Sequence, residues 1–286
     1  MANLKIYNRP LLKNSRMVIG FSGWMNGGDV STGTIQYLKF RLHARKFAEI
    51  NSQKFYLFNF PTAMQETVQF RPNTKIQNGL IVNFQYPKNE FFYNERNNLI
   101  LFSGKEPNVN WDEYANCIFK IAGEFAVKNI YFTGSVAGLI PHTRRVRVTC
   151  YFSSEKQKEK VSDSGIKFSN YQGPASLTTL LTKLSTEKGI EMSNYVAEIP
   201  VYIQHRNPKA IKTVIEKLVQ LLKIEIDISD LSLESTNFEK KIDKLVSQQP
   251  LLGEQIRKLE KNYDKEFFEE NGGFEEWLKR HGIDKL

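Results

Sequence analysis

Residues Val18 to Leu38, VIGFSGWMNGGDVSTGTIQYL, constrain the fold more than any other stretch, because an apolar run breaks into glycines and then resumes at helical spacing. Val18, Ile19 and Phe21 predict a short buried strand, and Ile35, Leu38 and Leu42, three and four residues apart, mark one apolar face of a helix. Gly23, Gly27 and Gly28 fall in the turn between them, where glycine tolerates positive φ and lets other groups approach the backbone. Asp29 or Ser31 is expected to cap the helix. Such a loop lies at the carboxyl end of a strand, where open α/β sheets bind ligands and partners, although the same residues also suit a plain tight turn. No phosphate-loop template fits. Neither Lys-Ser nor Lys-Thr follows Gly28 and the G-x-G-x-x-G spacing is missing, so nucleotide binding gains little support.

With 286 residues, 41% of them apolar, the chain has room for one large α/β domain or a domain with an appendage. It contains no run of about 18 uncharged apolar residues. The opening MANLKIYNRPLLKNSR lacks the apolar core and cleavage site of a signal peptide, so a cytoplasmic location with no membrane partner is expected. Cys117, in a predicted helix, and Cys150, in a predicted strand, fit no metal spacing and read as free buried thiols. The net charge of +9 is unevenly placed: residues 225–286 hold 15 acidic and 10 basic side chains, leaving the tail at −5 and the rest at +14. The basic residues are scattered and no nucleic-acid module is present, so no nucleic-acid partner is expected. The charge reads as a solvated surface, or as a body that docks an acidic tail or partner.

Further strands are predicted at Phe55–Phe60, Leu80–Phe84, Phe91–Tyr93 and Leu99–Phe102, with hairpin spacing among them. The connection from Pro61 to Pro72, which embeds Met64, Val68 and Phe70, reads as an excursion over the sheet. A helix over Trp111–Val127 leads into a strand at Ile130–Thr133 and a second glycine-bearing loop, GSVAGLIPHTRRVRV. Alternating Val146, Val148 and Cys150 predict a strand reaching Phe152, and residues 153–170 a short helix and turn. Gly173-Pro174 is expected to open a helix to about Glu187. Tyr195–Ile203 reads as the last strand, and Asn207-Pro208 begins a helix through Leu222. The expected organisation is an α/β domain over 1–228 and a helical extension over 229–286. In the extension, Phe238, Ile242 and Leu245, then Leu252, Ile256, Leu259 and Tyr263, flank Pro250 as a helical hairpin that packs on the body or on another subunit. Gly272-Gly273 sets off a last short helix containing Trp277.

His142, in a loop after a strand, suits acid–base work near neutral pH, but no carboxylate lies beside it in sequence to orient it. No histidine pair has the spacing of a helical zinc site, and no metal is expected. Ser135 sits in Gly134-Ser135-Val136-Ala137, not in a nucleophile elbow. Arg144, Arg145 and Arg147 either clamp an anion or face solvent. Glu106 is the best-placed carboxylate, or it caps the helix near Trp111. If the strands ending near Phe21, Phe102 and Thr133 are parallel neighbours, Gly23, Glu106 and His142 line one crevice. Loop amides and Arg144 would there take an anion or a carboxylate-bearing partner tail, with His142 adding pH sensitivity.

GWMNGGDVS, SGKEPNVNW, GSVAGLIPHTRRVRVT, YQGPASLTTLL and EIDISDL occur in the order of one family, over about residues 17–265. On these motifs the chain resembles the proteasome assembly chaperone 2 family, some members of which carry an ATP-grasp label. The resemblance implies a three-layer α/β/α phosphorylase/hydrolase-like fold with a mixed, mainly parallel sheet. It implies eukaryotic relatives that guide assembly of proteasome α-subunit rings, and many prokaryotic relatives without an established activity. It places the family's loop residues on Gly23, Trp24, Gly27 and Gly28, on Gly104, Glu106 and Pro107, on Pro141, His142, Thr143 and Arg144, and on Gly173 and Pro174. Met25 and Asn26 replace the Asn-Asp that commonly follows the tryptophan, which removes a carboxylate from that loop. Archaeal relatives that dock on proteasomes end in a hydrophobic-tyrosine-any tripeptide, whereas this sequence ends Asp284-Lys285-Leu286. Together these readings lead to an oligomeric, non-enzymatic protein-binding module that needs no cofactor, with a small-molecule enzyme or sensor using the crevice as the alternative.

Overall fold

Alternation along the strand Arg16–Ser22 sorts its side chains between two apolar clusters: Met17, Ile19 and Phe21 enter one, and Val18 enters the other. The computed structural model describes residues 3–59, 67–159, 161, 166–203 and 205–270. Its strands are β1 (Leu4–Ile6), β2 (Arg16–Ser22), β3 (Arg45–Ile50), β4 (Asn73–Gln77), β5 (Leu80–Gln85), β6 (Glu90–Asn94), β7 (Leu99–Lys105), β8 (Asn129–Gly138), β9 (Val148–Phe152), β10 (Lys167–Phe168) and β11 (Glu191–Pro200). Its helices are α1 (Val30–Arg41), α2 (Trp111–Glu124), α3 (Glu155–Glu159), α4 (Leu177–Glu187), α5 (Pro208–Leu222), α6 (Ser229–Ser247) and α7 (Pro250–Glu270).

Nine strands form one mixed sheet in the order β1-β3-β6-β7-β2-β8-β11-β9-β10. The centre, β7-β2-β8-β11, is parallel, so the loops after these strands leave from one edge. Helices α2 and α4 cover one face through Tyr114, Ile118, Ile121, Leu177 and Leu181. Helices α1 and α5 cover the other through Val30, Ile35, Leu38, Ile211, Val214 and Leu218. The result is the three-layer α/β/α arrangement expected. Close contact between β2 and α1 depends on Gly20, where a Cβ would lie 2.6 Å from Ile35 Cγ1 and 2.7 Å from the Ser31 carbonyl oxygen.

Several expectations need correction. The strand expected at Phe55–Phe60 does not form over the described residues, because the Phe55 carbonyl accepts from the Asn108 and Val109 amides and the Leu57 amide donates to Asn108 Oδ1. Phe60 and residues 61–66 of the following excursion, including Met64, lie outside the described residues. The third strand is instead Arg45–Ile50, close behind α1. Gly173-Pro174 does not open α4: Ser176 is its N-cap, in a reciprocal capping box with Thr179. Asp29 precedes α1 at φ +53 without a side-chain cap bond, and Ser31 turns inward. Asn26 does the capping, its Oδ1 accepting from the Thr32 amide at 2.9 Å. The last strand is Glu191–Pro200, earlier than expected.

Leu80–Phe84 is a strand, but in a separate hairpin of β4 and β5. Asn78 and Gly79, both at positive φ, make its turn. The helical hairpin from Ser229 is present as α6 and α7, and the segment with Trp277 lies outside the described residues. Cys117 and Cys150 are free and buried. Burial pushes the Cys117 thiol up to about 11 and raises that of Cys150 further, which keeps both thiols protonated at neutral pH.

Candidate functional site

The loop between β2 and α1 is sewn to its neighbours by backbone contacts. Ser135 on β8 donates its amide to the Met25 carbonyl at 3.0 Å and its hydroxyl to the Gly27 carbonyl at 2.6 Å. The Gly28 carbonyl accepts from the Asn207 amide at 2.8 Å. Gly28 has φ +58, and a Cβ there would meet Asn207 Cβ at 2.8 Å, so both conformation and space demand glycine. Asn207 in turn caps α5 by accepting from the Ala210 amide at 3.0 Å. Gly27 and Gly28 therefore tie this loop to β8 and to the loop before α5, and Trp24 stands 60% exposed at its rim.

Glu106, after β7, bridges the Trp24 loop and the start of α4. Its Oε2 accepts from the Trp24 amide at 3.0 Å and its Oε1 from the Leu177 amide at 3.3 Å, at the start of α4. A carboxylate at a helix N-terminus is favoured by the exposed amides and the helix dipole. Gly23 makes room, since a Cβ there would lie 2.6 Å from Glu106 Cβ. Glu106 thus caps α4, and not the helix at Trp111, whose indole donates to the Pro107 carbonyl at 2.7 Å. Gly104 lies against Tyr114, whose hydroxyl a Cβ would meet at 2.6 Å. Buried Asn89 pins this end of β7 by accepting from the Tyr56 hydroxyl, the Tyr114 hydroxyl and the Lys105 amide at 2.9–3.0 Å. Burial raises both tyrosines and lowers Lys105. Gly173 and Pro174 lead toward the Ser176 cap, with the Pro174 carbonyl accepting from the Tyr171 hydroxyl.

The loop after β8 faces a different set of partners. His142 is buried; its Nδ1 lies 2.9 Å from the Tyr202 hydroxyl and its Nε2 3.0 Å from Asp243 Oδ1 on α6. The Tyr202 oxygen already accepts from the His142 amide at 2.8 Å, so it is free to donate to Nδ1 while Nε2–H donates to the aspartate. Asp243 is the orienting carboxylate that no sequence neighbour supplies. The His142 carbonyl accepts from Lys209, which also pairs with Glu239. Thr143 donates to Glu260 at 2.5 Å. Arg144 grips Asp264 on α7 through two bonds, of 2.7 and 2.8 Å, and this holds the aspartate below the usual carboxylate range. Arg147 pairs with Glu266 at 2.8 Å and lies 4.3 Å from the centre of the Tyr263 ring, whose hydroxyl donates to the Arg145 carbonyl.

The parallel strands bring the loops of Gly23, Glu106 and His142 to one sheet edge, but their side chains bond to different groups. Glu106 serves the α4 side and His142 the α6 side, and among the described residues they share no bonding partner. A cleft of about 770 Å³ opens at this same end of the sheet, beside Asn51 and Asn89, and one of about 610 Å³ beside Arg41 and Asn94. Among the described residues no group of three or more His, Cys, Asp or Glu side chains is placed to hold a metal ion, and no helix is long and apolar enough to cross a membrane. Tyr202, Asp243, Glu260 and Asp264 do not stand out in the sequence, whereas Tyr263 does, on the face of the hairpin expected to pack on the body. The spacing of Glu260 and Asp264, one helical turn apart opposite a body of charge +14, was the available signal.

A sequence model of the PAC2 family matches residues 20–246, taking in all of these loops and ending before α7. No curated protein sequence matches the chain. Among solved structures, a protein of unknown function from Corynebacterium glutamicum superposes with a TM-score of 0.79 at 17% identity, covering 93% of this chain and 98% of its own. The proteasome-assembly chaperone homologue of Mycobacterium tuberculosis gives 0.74 at 22% identity, with 84% and 99% covered. The archaeal proteasome activator PbaB of Pyrococcus furiosus gives 0.64 at 20%, with 85% and 97% covered. These superpositions establish a shared fold, and with the sequence match over most of its length the chain belongs to the PAC2 family.

Proposed function

We propose that this chain is a protein-binding module of the proteasome-assembly-chaperone type, acting in the cytoplasm as a homo-oligomer and without enzymatic activity of its own. Nucleic acid and membrane are not its targets. In this reading the α/β body, residues 1–228, presents the binding edge and the extension, residues 229–286, packs beside it. The edge is built from Gly23, Trp24, Gly27 and Gly28, from Gly104, Glu106 and Pro107, from Pro141 to Arg144, and from Gly173 and Pro174.

One observation carries the reading. The side chains best suited to chemistry are engaged by the chain itself: Glu106 with two backbone amides, His142 with Tyr202 and Asp243, and Arg144 with Asp264. At the same edge Trp24, Leu139 and Val201 stand 60%, 75% and 52% exposed. Exposed aromatic and aliphatic groups on a rigid frame suit contact with another protein. Two neighbours in fold are a proteasome-assembly chaperone homologue and a proteasome activator, which favours this class of partner.

Affinity purification of the full chain from its native host, with Trp24→Asp/Leu139→Asp alongside, tests the proposal. We expect the wild type to retain a stable protein partner and the double variant to lose it without a change in melting temperature. Absence of any stable partner would contradict the reading.

A further inference from the structure

From the residues that engage α7, we infer that the loop Pro141–Arg147 is a docking site for an acidic helical segment of a protein partner, and that α7 is its resident occupant. The inference rests on the binding-module reading above and names the chemistry of its ligand. The loop presents a row of complementary groups: the Thr143 hydroxyl, the Arg144 guanidinium, the Arg145 carbonyl and the Arg147 guanidinium. On α7 the hydroxyl meets Glu260, Arg144 meets Asp264 and, more loosely, Glu260, the carbonyl meets the Tyr263 hydroxyl, and Arg147 meets Glu266 and the Tyr263 ring. Glu260, Tyr263 and Asp264 are spaced three and four apart and so share one helix face. The recognised pattern is a helix bearing two carboxylates one turn apart, with a tyrosine beside them. Arg144 supplies geometric selectivity, because a planar two-bond fork accepts a carboxylate in one orientation.

Two further observations separate the site from its occupant. The loop lies within the residues matched by the family and α7 lies beyond them. Over Pro250–Glu266, moreover, only Gly253, Ile256 and Tyr263 are buried, so this part of the helix is held largely by its charged contacts. Gln248-Gln249, the short link from α6, tethers it. A tethered segment competes at an effective concentration on the order of mM, so an outside helix gains the loop only when α7 is weakened or when the newcomer has additional contacts. The basic body supplies those by attracting acidic partners at long range.

The probe is a fluorescent synthetic peptide of residues 250–270, titrated against the full chain and followed by anisotropy. The wild type is compared with Glu260→Lys/Asp264→Lys/Glu266→Lys and with the milder Glu260→Gln/Asp264→Asn, whose melting curves are recorded first. We expect both variants to bind the peptide at least tenfold more tightly than the wild type. Adding Arg144→Glu should abolish that gain, as should a peptide carrying glutamine or asparagine at 260, 264 and 266. Equal binding by wild type and the milder variant, or a gain that survives Arg144→Glu, would overturn the inference. A wild-type dimer that falls apart on weakening α7 would also overturn it, by assigning the loop to an exchanged helix of a second copy. Should the peptide fail while affinity purification still yields a stable partner, the binding-module reading stands and only this site is lost.

Discussion

Met17, Ile19, Phe102 and Phe132 in the central strands expose none of their surface, whereas α6 leaves Leu233 and Leu245, and α7 Leu251, largely in solvent. The body is held by apolar burial on both faces of a sheet. Leu231 anchors the start of the helical extension in the cluster beneath α1 and α5, and beyond it the extension is held largely by polar contacts: a hydrogen bond from Tyr37 and an ion pair from Arg41 to Asp230, and ion pairs from Arg206 to Glu234, Lys209 to Glu239, and Arg144 and Arg147 to α7. Exposed ion pairs are worth about 0.2–1 kcal/mol each and are screened by salt, while a buried phenylalanine contributes several times more and is not screened. The two regions should therefore come apart under different conditions.

The largest effect is expected in the body. Phe102 lies 4.3 Å from Phe91 and 5.7 Å from Phe21 between ring centres, at the middle of the cluster beneath α2. Phe102→Ala should cost about 3–5 kcal/mol, read by urea unfolding. A loss of under about 1 kcal/mol would mean that the cluster refills the space and that the contrast between the regions is smaller than drawn.

A smaller loss is expected where the body meets its loops. Gly28→Val forces a branched side chain to φ +58 against Asn207, and should cost roughly 1–3 kcal/mol. An unchanged melting temperature would show that the loop yields and does not share the rigidity of the sheet.

How much of this was legible follows from the same contrast. Regular burial leaves a period in the sequence, which is why β2, β7, α2, α5 and the hairpin of α6 and α7 could be read directly. Where a segment's hydrogen bonds are spent on a distant loop, as at Phe55 and Leu57, apolar residues imitate a strand that does not form. The Asn26 cap was hidden because it reaches past a turn to Thr32, beyond the local spacing that signals a cap. At the candidate site the glycines and Glu106 could be singled out, but not their use, since the Trp24 and Leu177 amides come from separate parts of the chain. The carboxylate partners of His142 and Arg144 come from 101 and 120 residues away, and the acidic balance of the tail with the one-turn spacing of Glu260 and Asp264 is all that hints at them.

Amide hydrogen exchange on the full chain, at low salt and at about 1 M salt where the screening length is about 3 Å, tests most directly the claim that charge holds α7 on the loop after β8 while apolar burial holds the sheet. The account predicts that high salt speeds exchange across α7 and in residues 142–147 and leaves β2, β7 and β8 unchanged. Equal protection of α7 at both salt concentrations would contradict it.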